Sequence, residues 1–217
     1  MRRLTSALVV ALALVAGLTG CSSDGSVATT TTSNPASTTT TVDDALEALL
    51  LAPSELPGQF AISASADDTI TAFCATEDAT AGLQASARAV RGFQRTGGGA
   101  SVIQLAFRFR ADGASRFVSQ ASAVLDRCSG VPDVKGLAFD YDPLSPELEA
   151  LLAGAGDARV GRHGVSVGSG SLSIDLAVVQ HGDVGELIAV LGLDLPRQQL
   201  DALAHPVFEA AIAKLSR

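Results

Sequence analysis

The sequence predicts an α+β fold, in which an antiparallel β-sheet of about five to seven strands carries helices mainly on one face. Apolar and polar residues alternate strictly from Ser101 to Arg110, as they do in a strand with one buried face. Three further strand-like stretches follow one another between 158 and 193, separated by very short turns. Strands joined by tight turns pair antiparallel, and helices inserted between such groups pack on the resulting sheet.

The N-terminus has the layout of a secretory signal. Arg2 and Arg3 precede an apolar run over 7–16, and Leu18-Thr19-Gly20-Cys21 follows. The run is too short for a transmembrane helix. A cysteine directly after small residues resembles the lipobox of bacterial lipoproteins. This resemblance implies that 1–20 is a signal peptide removed before Cys21, and that Cys21 carries acyl chains, palmitate among them.

Acyl chains on Cys21 would hold the protein at the extracytoplasmic face of the cell membrane, because several chains together make such an anchor stable. An ordinary secretory signal with an incidental cysteine is the alternative. The lipidated Cys21 opens a Ser/Thr-rich segment over 21–42, which has almost nothing apolar to bury and is predicted to be a disordered tether, either bare or O-glycosylated. Residues 43–217 are predicted to form one extracytoplasmic domain.

The first half of that domain is predicted to contain a short helix, a hairpin and a longer helix. Asp43-Asp44 suits a helix N-terminus, leucines follow at helical spacing, and Pro53 ends the pattern. The stretch over 85–95 and the alternating strand from Ser101 form a hairpin around a run of three glycines. An apolar stripe over 114–127 then predicts an amphipathic helix.

The second half is predicted to contain a loop over 129–156, a three-stranded meander and a terminal helix. A short helix over 146–153 interrupts the loop. The meander strands are expected over 158–167, 171–181 and 184–193. The terminal helix is expected over 196–215, where Pro206 should kink or split it because proline removes one helical hydrogen bond.

Two cysteines remain once Cys21 is assigned to lipid, namely Cys74 and Cys128. In an oxidising compartment such a pair most simply forms a disulfide. It would close a loop of about 55 residues and stabilise the domain by roughly 4 kcal/mol. Two buried free thiols are the alternative, and a metal site is less favoured because no histidine lies near either cysteine in sequence.

Charge and composition exclude some classes of partner. The formal net charge of −8 falls to −10 when residues 1–20, with their two arginines, are removed. An acidic protein lacks the basic footprint that nucleic-acid binding needs, and no nucleic-acid partner is predicted. Docking on anionic lipid through charge is disfavoured for the same reason, which leaves the acyl chains as the membrane contact.

The sequence shows no catalytic constellation and no cofactor motif. His163, His181 and His205 are not paired at metal-ligand spacing and are predicted to be structural. We therefore predict a protein that is not an enzyme and that carries neither cofactor nor metal.

Arginines concentrate at the predicted hairpin and give the best candidate ligand site in the sequence. They could meet an anionic envelope component such as a phospholipid or a sulfated glycan. A solvated face that balances acidic neighbours is the alternative. The candidate residues are Arg88, Arg91, Arg108 and Arg110.

Short motifs resemble those of actinobacterial lipoproteins and of the extracellular sensor-like domains of mycobacterial-type receptor Ser/Thr kinases. The Leu-rich opening helix, the turn over 55–60, Pro143-Leu144 and Gly156-Asp157-Ala158 carry the likeness, together with the closing Ala213-Lys214-Leu215. The kinase domains look to be stapled by two disulfides, whereas this chain offers cysteines for one. The resemblance implies a non-catalytic extracytoplasmic domain with a cleft between sheet and helices and an unidentified ligand or protein partner.

Four functions stay in competition at this point. A ligand-binding or sensor-like lipoprotein agrees best with the anchor, the tether and the missing catalytic set. A lipid or lipoglycan carrier of the envelope would need a large apolar cavity. A hydrolase whose residues meet only in the fold, and an adaptor that touches other envelope proteins, are the remaining alternatives.

Overall fold

The computed structural model describes residues 43–63, 72–74, 77–132, 137–167 and 172–216. The predicted signal peptide and the predicted tether lie outside these residues. The four α-helices are α1 (Asp44–Glu47), α2 (Gly113–Cys128), α3 (Pro146–Ala153) and α4 (Arg197–Leu215). The strands are β1 (Phe60–Ser63), β2 (Ala72–Cys74), β3 (Glu77–Asp78), β4 (Ala85–Arg95), β5 (Ala100–Phe109), β6 (Phe139–Asp142), β7 (Ala158–Ser166), β8 (Leu172–His181) and β9 (Val184–Leu193).

The main sheet has seven antiparallel strands in the order β1-β4-β5-β9-β8-β7-β6, and β2 pairs with β3 in a small separate sheet. The hairpin β4–β5 joins the meander β7–β8–β9 edge to edge, because β5 pairs with β9 along its whole length. The predicted α+β class and the strand number are confirmed.

Three of the four helices cover one face of this sheet. α1 contacts β4 and β5, α3 contacts β7 and α4, and α4 contacts β8 and β9. Their leucines pack with Phe93, Val179 and Ile188 in one hydrophobic core. We call this side of the sheet the α3/α4 face. Helices therefore lie mainly on one face, as predicted.

Helix α2 covers the opposite face and closes a second core. Its stripe of buried residues packs on Leu105, Leu176 and Leu187. Phe117 contacts the rings of Phe107 and Phe109 at centroid separations of 5.5 Å. The amphipathic pattern predicted a helix over 114–127, and the observed helix is one residue longer at each end.

Strands β8 and β9 lie at the centre of the sheet and are buried on both faces. This explains their nearly continuous apolar sequences, since neither face of these strands meets water. It also means that any charged residue within them is forced into the interior.

A glycine beneath α3 and a proline inside α4 affect how these two helices lie on the sheet. A Cβ atom at Gly161 of β7 would lie only 2.3 Å from Leu144 Cδ1 and 2.7 Å from Leu152 Cδ1, so the glycine lets α3 lie close to the strand. Helix α4 continues through Pro206 without being split.

Candidate functional site

A cavity of about 430 Å³ lies between the N-terminal halves of α3 and α4. Its size is in the range of small-molecule sites. We call it the α3–α4 cavity. Its lining is a mixture of acidic, neutral polar and apolar residues, namely Ser145, Glu147, Leu148, Gln198, Asp201, Ala202, His205 and Pro206.

A buried histidine and a buried aspartate lie on the sheet under α4. His163 of β7 and Asp175 of β8 face each other in the register of the sheet. Their side chains are 4% and 0% exposed, and His163 Nδ1 lies 2.7 Å from Asp175 Oδ1 in a hydrogen bond. The pairing of β7 with β8 therefore fixes both groups on the α3/α4 face.

Asp201 of α4 completes a cluster of three groups and also lines the cavity. One ligating atom from each of His163, Asp175 and Asp201 lies within 4.8 Å of the other two. Burial raises the pKa of the Asp175 carboxyl above its ordinary value, the hydrogen bond to His163 opposes that rise, and neighbouring Asp201 adds to it. Asp201 acts on Asp175 through its charge and through a side-chain hydrogen bond, and a hydrogen bond between two carboxyl groups requires a proton on one of them.

Several polar atoms at this site have no hydrogen-bond partner in the described structure. Ser145 Oγ is one of them, and Asp175 Oδ2 and Asp201 Oδ1 lack a partner as ionised groups, although a proton between the two carboxyl groups links them. Ser145 precedes α3 in the N-cap position, yet its side chain does not cap the helix. Buried polar groups are normally satisfied, so the unpartnered Ser145 Oγ in the cavity wall indicates a place prepared for a bound group.

Pro206 adds a further acceptor to the wall of the α3–α4 cavity. Proline has no N–H, so the Ala202 carbonyl one turn earlier lacks its usual helical donor. Both Ala202 and Pro206 line the cavity. The site is therefore rich in oxygen acceptors and suits a cation or a ligand with several donors.

The same cavity does not present an activated nucleophile. Ser145 Oγ makes no hydrogen bond to His163 or to any other described group. A serine nucleophile needs a base within hydrogen-bond reach. The His163–Asp175 pair therefore does not serve Ser145 in this arrangement.

A second polar cluster on the α3/α4 face is used within the fold. Gln104 of β5 accepts a hydrogen bond from the Leu51 N–H at 2.7 Å and donates to Glu186 of β9. Burial raises the pKa of Glu186 to about 8, while the hydrogen bond from Gln104 and the charge of Lys214 oppose the rise. These contacts hold the segment after α1 against the sheet.

The structure divides the four candidate arginines between the two faces. Arg91 bonds to Glu47 at 2.8 Å, and Arg108 bonds to Asp43 at 3.1 Å and to Asp183 at 3.2 Å, all on the α3/α4 face. Arg88 lies on the α2 face with its guanidinium 5.8 Å from the Phe107 ring centre. Arg110 is exposed just beyond β5. Their predicted role in ligand binding stays a prediction.

The cysteine predictions also stay open. Cys21 lies outside the described residues. Cys128 is the buried last residue of α2, and Cys74 is the last residue of β2, a strand that packs against α2. The placement of these two elements is compatible with the predicted bridge.

Sequence reasoning missed Asp175 and Asp201 and treated His163 as structural. The available signal was the position of Asp175 within Leu172-Ser173-Ile174-Asp175-Leu176-Ala177-Val178-Val179. In this run the residues facing both sides of the strand are mainly apolar, which is typical of a strand covered on both faces. An aspartate inside such a run indicates a buried carboxyl group. No local sequence signal places Asp201 in the cluster, because its position beside His163 and Asp175 depends on how α4 packs on the sheet.

Fold and cavity together define an α+β domain with a cavity between two of the helices that cover one face of its sheet. The sequence matches no protein-family model and no curated protein at a significant level. Among solved structures, the fold is similar to the extracellular domain of PknH from Mycobacterium tuberculosis, with a TM-score of 0.50 and 16% identity over 82% of this chain and 97% of that one. The likeness at this identity concerns the fold, and it confirms at that level the expected resemblance to a receptor-kinase extracellular domain.

None of the helices in the described residues combines the length and the hydropathy that a membrane crossing requires.

Proposed function

We propose that this protein is a lipid-anchored, extracytoplasmic, non-catalytic domain that binds a small polar ligand in the α3–α4 cavity. The observation that carries the proposal is the pair of unpartnered atoms, Ser145 Oγ and Asp201 Oδ1, on two residues that line this cavity. A bound ligand would supply the partners that these atoms lack. The fold of a kinase extracellular domain supports an extracytoplasmic role, and the lipobox-like Leu18-Thr19-Gly20-Cys21 supports the anchor.

The dimensions of the cavity and the acidic groups in its otherwise mostly apolar wall favour a small ligand with polar groups over a lipid. Its volume of about 430 Å³ lies near the lower end of the range for small-molecule sites. Acidic groups at Glu147 and Asp201 contribute to the wall, and these would be costly to desolvate against an acyl chain. The carrier function therefore stays an alternative that the described cavity does not favour.

The test is native mass spectrometry of the full chain purified from membranes of a bacterium that processes lipoproteins. We expect an additional non-covalent mass on the wild type that is lost in Ala202→Phe, because the larger side chain fills the cavity. The matched control is Ala153→Phe, an exposed alanine of α3 that does not line the cavity. A bare mass in the wild type, or the same bound mass in both variants, would contradict the proposal. A bound mass that solvent extraction identifies as a lipid would favour the carrier.

A further inference from the structure

The structure assigns a zinc site to His163, Asp175 and Asp201, of which Asp201 lines the α3–α4 cavity. This inference rests on the proposed function, because it names the chemistry by which the same cavity binds its ligand. It departs from the sequence-based prediction that the protein carries no metal.

Geometry is the first argument. One imidazole nitrogen and two carboxylate oxygens lie within 4.8 Å of one another. Two protein ligands on one tetrahedral zinc ion are about 3.4 Å apart, given metal–ligand bonds of about 2.1 Å. An ion that binds here would open the 2.7 Å hydrogen bond between His163 Nδ1 and Asp175 Oδ1 to about that separation. Asp175 Oδ2 and Asp201 Oδ1 would meet the ion in place of the proton that links the two carboxyl groups.

Charge is the second argument. Within the part of the chain that the structure describes, no lysine or arginine forms an ion pair with Asp175 or Asp201. The basic group that pairs with Asp175 is the imidazole of His163. A divalent ion would balance the two carboxyl groups in place of the proton that links them, because metal ligands bind in their deprotonated form.

The surroundings of the cluster supply the third, independent argument. Ser145 is 7% exposed and has an unpartnered Oγ at the cavity that Asp201 also lines. A structural His163–Asp175 pair would need neither the unsatisfied serine nor a second carboxyl group on α4. A metal ion with an open position toward the cavity accounts for all of them, because its bound water or ligand needs polar neighbours.

The donor set selects the ion. Calcium and magnesium prefer sites made only of oxygen ligands, whereas one imidazole with two carboxylates suits zinc. Three protein ligands leave the fourth tetrahedral position free. His205 lines the cavity one helical turn after Asp201 and lies on the same side of α4. The site would therefore hold zinc with an exchangeable position for an anionic or neutral donor.

The experiment measures zinc on the full chain, purified without a histidine tag, stripped with a chelator and titrated with zinc chloride. Calorimetry gives the affinity, and elemental analysis after gel filtration gives the stoichiometry. We expect about one zinc ion per wild-type chain and an affinity at least about tenfold lower in Asp201→Asn. The matched control is Glu209→Gln, which removes one negative charge from an exposed position of the same helix and should bind like the wild type.

Wild-type protein that retains no zinc would overturn the inference whatever the variants do. Equal affinity in wild type and Asp201→Asn would also overturn it, since the metal would then lie elsewhere, for example on cysteines. Cobalt(II) provides a second measurement, because its visible absorption reports a tetrahedral site of nitrogen and oxygen ligands. An organic ligand that Ala202→Phe displaces, on a wild type without zinc, would overturn this inference and leave the proposed function intact.

Discussion

At the scale of single residues, two fully buried carboxyl groups on the same face of the sheet have different surroundings. Glu186 meets Gln104 and the segment after α1, so its contacts belong to the fold. Asp175 meets His163 and Asp201 beside the α3–α4 cavity. Glu186 Oε2 and Asp175 Oδ2 both lack a partner, so neither burial nor a missing hydrogen bond identifies a functional carboxyl group. Asp175 differs because its neighbour Asp201 lines the cavity.

Glu186 gives a prediction for the pH dependence of stability. Burial raises its pKa to about 8 in the folded protein, above the ordinary value of 4.5, so the folded state holds a proton that the unfolded state releases in that range. Stability should fall as pH rises from about 4.5 to 8, by about 3 kcal/mol at pH 7 as an upper estimate. Glu186→Gln should flatten this fall, as measured by urea unfolding at pH 5, 7 and 8.5.

The control for this prediction is Glu147→Gln, which neutralises an exposed carboxylate and should keep the wild-type pH profile. An unchanged slope in Glu186→Gln would show that Glu186 is ionised in the folded protein.

The residues of the candidate site were only partly predictable from the sequence. His163 and His205 were visible as titratable groups, but the meeting of His163 with Asp175 and Asp201 depends on the β7–β8 register and on the packing of α4. Both are long-range contacts that no local pattern specifies. The arginines were more conspicuous in the sequence, and the structure shows three of their acidic neighbours, Asp43, Glu47 and Asp183, paired with Arg91 and Arg108.

At the scale of elements, α4 contains a proline, Pro206, which destabilises the helix and also lines the cavity. A proline inside a helix costs about 3 kcal/mol or more, yet α4 runs through Pro206 with its apolar stripe buried. Packing of that stripe on β8 and β9 offsets the missing hydrogen bond. The retained proline keeps the Ala202 carbonyl available at the cavity.

Pro206→Ala should restore the helical hydrogen bond to Ala202. We expect the free energy of unfolding to rise by about 1–2 kcal/mol. Removing the proline removes its cost inside the helix, but it also gives the unfolded chain more conformational freedom, which offsets part of the gain. Any mass bound in the cavity should be held less tightly. Chemical unfolding and native mass spectrometry provide the two readouts, and Pro132→Ala, an exposed position after α2, is the control without a helical bond to restore. A loss of stability in Pro206→Ala would contradict this account.

The junction of α2 with β2 gives a prediction about the cysteines. Intact mass after alkylation of the native protein should show Cys74 and Cys128 protected until a reductant is added. Reduction should lower the free energy of unfolding by roughly 4 kcal/mol, because the bridge closes a loop in the unfolded chain and so reduces the entropy that the chain gains on unfolding. Cys128→Ser should give the same loss without reductant. Alkylation of both thiols in the unreduced protein would exclude the bridge.

At the scale of the whole molecule, the fold was more predictable than the site. Period-two alternation in β5 and short turns between β7, β8 and β9 are local signals, and they gave the strands with boundaries within about two residues. The edge-to-edge pairing of β5 with β9 and the position of α2 on the opposite face were not available locally. Both arise from the burial of β8 and β9 on two sides.

The anchor is also a property of the whole molecule. Cys21→Ala should move the protein from the membrane fraction to the soluble fraction, since the charge of the chain gives no other attraction to anionic lipid. Immunoblotting of separated fractions measures this, with Cys128→Ser as a control that keeps the predicted lipid site. Full membrane retention of Cys21→Ala would contradict lipid anchoring.

Asp43, the first described residue, is fastened at the end of the sheet away from Asp175. Arg108 joins Asp43 to Asp183 in the β8–β9 turn. Asp175 pairs with Val190, which lies six residues or about 20 Å along β9 from Val184 beside that turn. A force applied to the domain at Asp43 would therefore enter at the β8–β9 turn and reach the His163–Asp175 pair only through the intervening strands.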